Sequence, residues 1–208
     1  MDLSLRGLDA AKPSDTSVRY EVLGDSWHEQ KNPSGYVNLG VAENTLAHEV
    51  LAKHIHEHIV LGSEHFTYGT GATGSPQLKQ AIARFLGKYL TPSQPLEKSH
   101  ITVTNGCSAA IEHLSWALAN PGEGFLLGQP FYGTFIPDLT LRTGAKVVPV
   151  PFGSIDPLNI DAVSQYVKAL LAARSEGIKV VGLVLCNPHN PLRRCYPVEF
   201  LIDIMRLC

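Results

Sequence analysis

No apolar stretch in this sequence approaches the roughly 20 residues that a bilayer-spanning helix needs; one of the longest runs from Val180 to Cys186. Charge of one sign is also scarce. Charged residues make up 17% of the chain and the formal net charge is −2, with no long acidic or basic run. Neither a nucleic acid nor an anionic membrane surface therefore has an electrostatic claim on it. The opening residues, MDLSLRGLDAAKPSD, carry polarity and charge where a secretory leader has an apolar centre. Cysteine is limited to Cys107, Cys186, Cys195 and Cys208, at spacings that suit neither a CxxC metal site nor a disulfide framework. Reduced thiols and a soluble, cytoplasmic setting are the expectation. Internal repeats and low-complexity tracts are absent. What is present is 44% hydrophobic residues over 208 positions, enough for one sizeable α/β core.

The pattern of those residues changes along the chain. Residues 1–36 read as an irregular arm with one helical stretch near Val18 to Gln30. A helix is predicted over Glu43–Leu61, with Leu46, Val50, Leu51, His54, Ile55 and His58 on one face. Ser75 then caps a helix whose first turn holds Pro76, where a missing N–H costs nothing, and whose apolar face is Leu78, Ile82, Phe85 and Leu86. The Pro-containing link Thr91 to Lys98 marks a change, so the chain divides into residues 1–98 and 99–208.

Beyond that link, strands and helices alternate. Strands are predicted at His100–Thr104, Gly124–Leu127, Lys146–Val150 and Lys179–Cys186. Helices are predicted at Cys107–Ala119, Phe131–Arg142, Asp161–Ser175 and Pro197–Leu207. Near-continuous apolar strands between amphipathic helices indicate a mostly parallel sheet covered on both faces. The last helix stops where a βαβ unit needs its next strand, so the sequence reads as ending within a fold.

Several segments could carry chemistry. Thr104-Asn-Gly-Cys-Ser-Ala-Ala110 joins a strand to a helix, where small residues and free N–H groups suit a phosphate; an ordinary tight turn is the alternative. Gly69-Thr-Gly-Ala-Thr-Gly74 matches GxGxxG, which would suggest a nicotinamide-dependent oxidoreductase. It follows a poor buried strand, and no acidic residue sits about 20 residues on. His54, His56 and His58 lie close together, but a metal there needs a third ligand from elsewhere, and an amphipathic helix accounts for them. Tyr132 ends a strand, where an aromatic can stack on a flat cofactor or simply pack. Asn187-Pro-His-Asn-Pro191 ends another, and its Asn-Pro steps fix a sharp loop at the carboxyl edge of the sheet, where open α/β folds bind ligands.

Taken in order, these segments resemble the class I/II aminotransferases, pyridoxal 5'-phosphate (PLP) enzymes of fold type I. Within them the chain is most similar to the 1-aminocyclopropane-1-carboxylate (ACC) synthase-like branch. The residues that carry the resemblance are Asn38-Leu-Gly-Val-Ala-Glu-Asn44, Tyr68 with Gly74, Thr104-Asn-Gly-Cys-Ser108 through Glu112, Pro130-Phe-Tyr132 and Asn187-Pro-His-Asn-Pro-Leu192. Asp138 to Gly144 adds to the branch likeness. The resemblance implies an incomplete type I large domain, preceded by an N-terminal arm and helices that form part of the small domain and the substrate edge. It implies that Cys107 and Ser108 hold the PLP phosphate, that Tyr132 stacks on the ring and that Asn190 bonds its phenolic oxygen. It implies that Tyr68 reaches the phosphate of a neighbouring subunit in a homodimer. Val41 and Ala42 would line the substrate-carboxylate edge, with Glu43 taking part in substrate choice.

The same resemblance implies an amino-acid substrate, with transamination or β/γ-elimination as the reaction, including carbon–sulfur lyase work in fungal-type secondary metabolism. Two departures point the other way. Arg193 stands where the family has a glycine after Asn-Pro-Leu. No lysine follows Lys179, although PLP chemistry needs a lysine Schiff base that the family places beyond the Asn-Pro loop. No catalytic residue is therefore assigned, and the chain is expected to be inactive alone. A non-catalytic remnant, or a fragment dependent on a partner, is the alternative. In the family's fold, further strands lie beside Lys179–Cys186, whose edge would otherwise be bare and prone to aggregation.

Overall fold

A computed structural model of the chain describes residues 3–12 and 21–208. Contacts divide it into two compact units, Met1–Gly69 and Thr70–Cys208. This partition places the helix at Pro76–Leu90 with the second unit and differs from the functional division at residue 98.

The first unit holds helix α1 (Leu5–Ala10), capped by the Ser4 side chain, and helix α2 (His48–His58). The stretch expected to be helical from Val18 to Gln30 lies partly outside the described residues. Of the rest, residues 21–24 are helical. A tight loop replaces helix after that. Trp27 N–H donates to Tyr36 O at 2.9 Å, His28 N–H to Asn32 O at 3.0 Å, and the Asn32 amide to Asp25 Oδ1 at 2.7 Å. The Asp25 and Asn32 side chains offer local bonds that compete with helix there, and Pro33 and Gly35 disfavour its continuation. Helix α2 is shorter than expected, because residues 45–47 form a 3-10 turn. No described residue of this unit is buried, and Leu46, Val50, Leu51 and Ile55 are all exposed. The apolar stripe legible in the sequence thus finds no core within its own unit.

The second unit opens with helix α3 (Pro76–Leu90), capped as expected by Ser75, whose hydroxyl accepts from Leu78 N–H at 3.2 Å. Helix α4 (Gly106–Leu118), strand β1 (Gly124–Gly128), helix α5 (Phe135–Thr140), strand β2 (Lys146–Val150), helix α6 (Val163–Ser175), strand β3 (Val180–Val184) and helix α7 (Val198–Leu207) follow. The sheet is parallel, in the order β2-β1-β3. Alternate side chains of β1 serve opposite faces. Leu126 joins Val148, Val150, Tyr166, Phe200 and Ile204 under α6 and α7. Phe125 joins Ala119, Leu139 and Ala145 under α4 and α5. Helices on both faces of a parallel sheet make the three-layer α/β arrangement that the apolar strands predicted. Strand β3 slips in register between Gly124↔Val180 and Phe125↔Gly182. Hence Val180 and Leu183, rather than strictly alternate residues, face α6 and α7.

Two expectations need correction. Residues 98–100 form a 3-10 turn, and residues 101–104 join no strand among the described residues. Val103 N–H donates instead to Thr73 O at 2.9 Å. A strand exists only with a neighbour to pair it, and this segment has none here. The helix expected over Phe131–Arg142 is confined to Phe135–Thr140. Gly133 is a poor helix former before it, and Gly144, at φ 71°, turns the chain after it.

At the amino ends of the strands, Lys179 Nζ reaches Glu123 Oε1 at 2.9 Å and ties β3 to β1. The Asn120 backbone N–H and Lys179 together hold the Glu123 carboxyl down at about 2. Arg194, then the Leu158 N–H, hold Asp156 at about 2. Depressed carboxylates stabilise the fold above their unfolded values of 4.5 and 3.8, and that stability is lost as pH falls towards 2. Asp156 is about half exposed, so solvent screens most of its share. The melting temperature is therefore expected to drop across that window chiefly through Glu123, whose side chain is 15% exposed, and Glu123→Gln to show a shallower slope.

Candidate active site

The site is built from chain turns that lie beside the sheet. Ser108 and Cys107 stand in the first turn of α4, and both are exposed. Asn105, the N-cap, makes no side-chain cap. The first N–H groups of a 13-residue helix are thus left free of a side-chain cap, where the helix dipole favours an anion. Thr104 fixes the entry, its hydroxyl donating to Gly106 O at 2.8 Å. Gly106, at φ 83°, takes a conformation that other residues avoid.

Strand β1 runs out at Gly128 into Gln129-Pro-Phe-Tyr132. The Tyr132 ring is partly exposed and meets Phe135 edge-on at 5.6 Å, which holds one edge and leaves area for a flat ligand. Strand β3 runs out at Val184 towards Asn187–Arg194. Because β1 and β3 are adjacent and parallel, Tyr132 and Asn190 leave the same carboxyl edge of the sheet. The Asn190 side chain is exposed and has no hydrogen-bond partner among the described residues. Its loop is closed from within: His189 N–H donates to Arg194 O and Arg193 N–H to His189 O, both at 2.8 Å. His189 is buried, and burial, then the Arg194 cation, lowers its pKa.

Val41, Ala42, Glu43 and Tyr68 belong to the first unit. Val41 is half-buried, Ala42 and Glu43 are exposed, and Tyr68 is fully exposed. Gly69 to Gly74 is loop, and the residues before it, Ser63–Phe66, form a 3-10 turn rather than a strand, so the dinucleotide fingerprint lacks its context. His54 and His58 stack at 4.1 Å on α2, and His58 Nδ1 meets His54 O at 2.8 Å.

The sequence reading overlooked Arg194 and Asp156. Their bidentate pair, at 2.7 and 2.8 Å, spans 38 positions, and no local pattern announces such a contact. Arg193 is the opposite case. It sits at φ 56°, the left-handed region where a side chain costs about 1–2 kcal/mol. Arg193→Gly is therefore expected to stabilise the chain by about 1 kcal/mol, raising the melting temperature by about 2–4 °C. An unchanged or lower melting temperature would show that the position does not reward glycine.

Solved structures share this architecture. An archaeal alanine:glyoxylate aminotransferase superposes with a TM-score of 0.72 at 22% identity, covering 100% of this chain and 50% of that one. Aspartate aminotransferase from Thermus thermophilus with maleate gives 0.68 at 22% identity, with the same coverage. The fold is therefore that of the PLP-dependent aminotransferases. Residues 34–208 match the family model for aminotransferase class I and II. The chain is 33% identical over 222 residues to 1-aminocyclopropane-1-carboxylate synthase 6 of Oryza sativa subsp. japonica, covering 98% of this chain and 40% of that protein. It is 34% identical over 213 residues to the probable inactive 1-aminocyclopropane-1-carboxylate synthase-like protein 2 of Homo sapiens, covering 98% and 37%. The chain belongs to the aminotransferase class I and II family and spans about 40% of the length of these relatives. The cofactor of that family is pyridoxal 5'-phosphate, and the uncapped α4 turn, the Tyr132 face and the free Asn190 amide are chemically suited to its phosphate, ring and phenolic oxygen.

Proposed function

We propose that this chain is the cofactor-cradling part of a PLP-dependent enzyme that acts on an amino acid. One observation carries the reading: Tyr132 and Asn190 leave the carboxyl ends of adjacent parallel strands, each with a ring face or amide free for a ligand. In this reading Cys107 and Ser108 bind the phosphate, Tyr132 stacks on the ring and Asn190 donates to the phenolic oxygen. Val41 and Ala42 lie beside the substrate carboxylate, Glu43 discriminates between substrates, and Tyr68 completes the phosphate site of a second subunit. Residues 1–98 then supply the arm and substrate edge, and residues 99–208 the cofactor domain. The bound cofactor would supply an electron sink for the substrate.

No lysine follows Lys179, and Lys179 itself is engaged by Glu123 at the opposite, amino edge of the sheet. The 208 residues accordingly bind the cofactor without turning over substrate. Transamination, or β/γ-elimination in secondary metabolism, is work for the complete enzyme. Four cysteines without disulfides support a reducing, cytoplasmic setting, and no helix among the described residues is long and apolar enough to cross a membrane.

The test is a PLP titration of the purified chain, followed by borohydride reduction and peptide mapping. Saturable binding without turnover and without one stably labelled lysine is expected. Asn190→Ala should weaken binding roughly fivefold to tenfold, the worth of about 1–1.4 kcal/mol for one hydrogen bond. Absence of saturable binding would sink the cradle; turnover with a single labelled lysine would sink the claim of inactivity.

A second reading, a non-catalytic fragment that depends on a partner chain, draws on the absence of any buried residue among those described in the first unit. A monodisperse chain that melts in one sharp transition would count against it.

A further inference from the structure

Resting on the cofactor reading above, we propose that Arg194 and Asp156 form a latch that positions Asn190. Asp156 lies in the loop after β2, and Arg194 closes the loop after β3. Their contact is a two-pronged one, Nη1 to Oδ2 at 2.8 Å and Nη2 to Oδ1 at 2.7 Å, which fixes the plane of the guanidinium as well as its distance. Asp156 is itself braced, since Oδ1 accepts from Leu158 N–H at 3.1 Å.

The latch reaches Asn190 through a short chain of bonds. The Arg194 carbonyl accepts from His189 N–H, and the His189 carbonyl accepts from Arg193 N–H, both at 2.8 Å. The His189 ring, buried to 5% exposure, takes Leu192 N–H on Nδ1 at 3.3 Å and packs against Tyr196. Asn187 Oδ1 accepts from Tyr196 N–H at 3.2 Å on the far side. Asn190 lies exposed within this closed turn, as do Pro191 and Arg193. The Asn190 amide makes no hydrogen bond among the described residues, so the turn is what places its Cα–Cβ bond.

Both partners are about half exposed, at 51% and 45%. Such a pair adds little to global stability. Its effect is local and geometric. A lysine at position 194 would keep the charge but lose the fork, so it would not replace the arginine.

The experiment compares Arg194→Ala, Arg194→Lys, Asn190→Ala, the Arg194→Ala/Asn190→Ala pair and the swap Arg194→Asp/Asp156→Arg in the full chain. Two quantities are read: PLP affinity, and amide hydrogen exchange at His189 and Arg193. Arg194→Ala is expected to speed exchange at both amides at least tenfold, with little change in melting temperature, and to weaken PLP binding to the level of Asn190→Ala. The pair should be no worse than either single variant, because both remove the same contact. Arg194→Lys should behave like Arg194→Ala, and the swap should recover part of both losses. Additive losses in the pair would overturn the latch, since Arg194 would then act independently of Asn190. If the parent chain binds no PLP, the cofactor reading fails, and exchange decides the latch separately: unchanged exchange in Arg194→Ala overturns it.

Discussion

Replacing Phe200 by alanine is expected to destabilise the chain by about 3–5 kcal/mol, and so to lower its melting temperature by about 6–20 °C. Phe200 is wholly buried on the inner face of α7. Its ring stacks on Tyr196 at 4.5 Å and meets Tyr166 edge-on at 6.2 Å. Deleting it removes the transfer energy of a large apolar group and leaves a cavity between α6, α7 and the sheet. Tyr196 would lose its stacking partner, and with it the support for the Asn187 contact behind the Asn190 loop. Phe200→Leu keeps most of the volume and should cost less than about 1.5 kcal/mol. Denaturant melts of both variants are the check. A loss below 1 kcal/mol for the alanine variant would mean that the cluster around Tyr166 is not the stabilising core.

Gly128→Ala should produce the second large loss, about 3 kcal/mol, at the end of the strand that leads to Tyr132. A methyl group there would overlap the Tyr166 hydroxyl and come within 3.1 Å of the Phe152 ring. Both neighbours are buried. The Tyr166 hydroxyl makes no hydrogen bond of normal geometry among the described residues, an unfavourable arrangement in itself. Tyr166→Phe alone is therefore expected to leave stability unchanged or slightly higher, and to recover most of the Gly128→Ala loss in the double variant. Thermal melts of the four proteins form one cycle. Additive effects would show that the hydroxyl is not the atom in the way.

How far the sequence carried these conclusions depended on whether the determining contact was local. Strands β1, β2 and β3 were legible because sheets buried on both faces demand near-continuous apolar runs, and Phe125 to Leu127 is such a run. Helix α3 was legible because Ser75 and Pro76 signal their own cap. The segment 101–104 misled, because β-branched composition makes a strand only where a second strand supplies hydrogen bonds. Turn residues such as Gly106, Tyr132 and Asn190 were placed by the breaks around them, so their positions at strand and helix ends follow from neighbouring sequence. The Arg194–Asp156 pair and the Tyr166–Gly128 contact were invisible because both join residues 38 positions apart that become neighbours only after the sheet forms. The left-handed backbone at Arg193 was not legible, since the sequence shows an arginine where the resemblance implies glycine but not the φ that it adopts.

The strand order β2-β1-β3 also sets a timetable. The central strand is made first, and both of its neighbours come later. Lys179, which pins β3 to β1, lies 56 residues beyond its partner Glu123. At the usual pace of translation, a ribosome needs about 3–11 s to cover that span. Throughout that interval β1 has at most β2 beside it, and its other edge is available to whatever extended chain is nearby. Slower synthesis through residues 128–184 lengthens the time for which that edge stays open to wrong pairing.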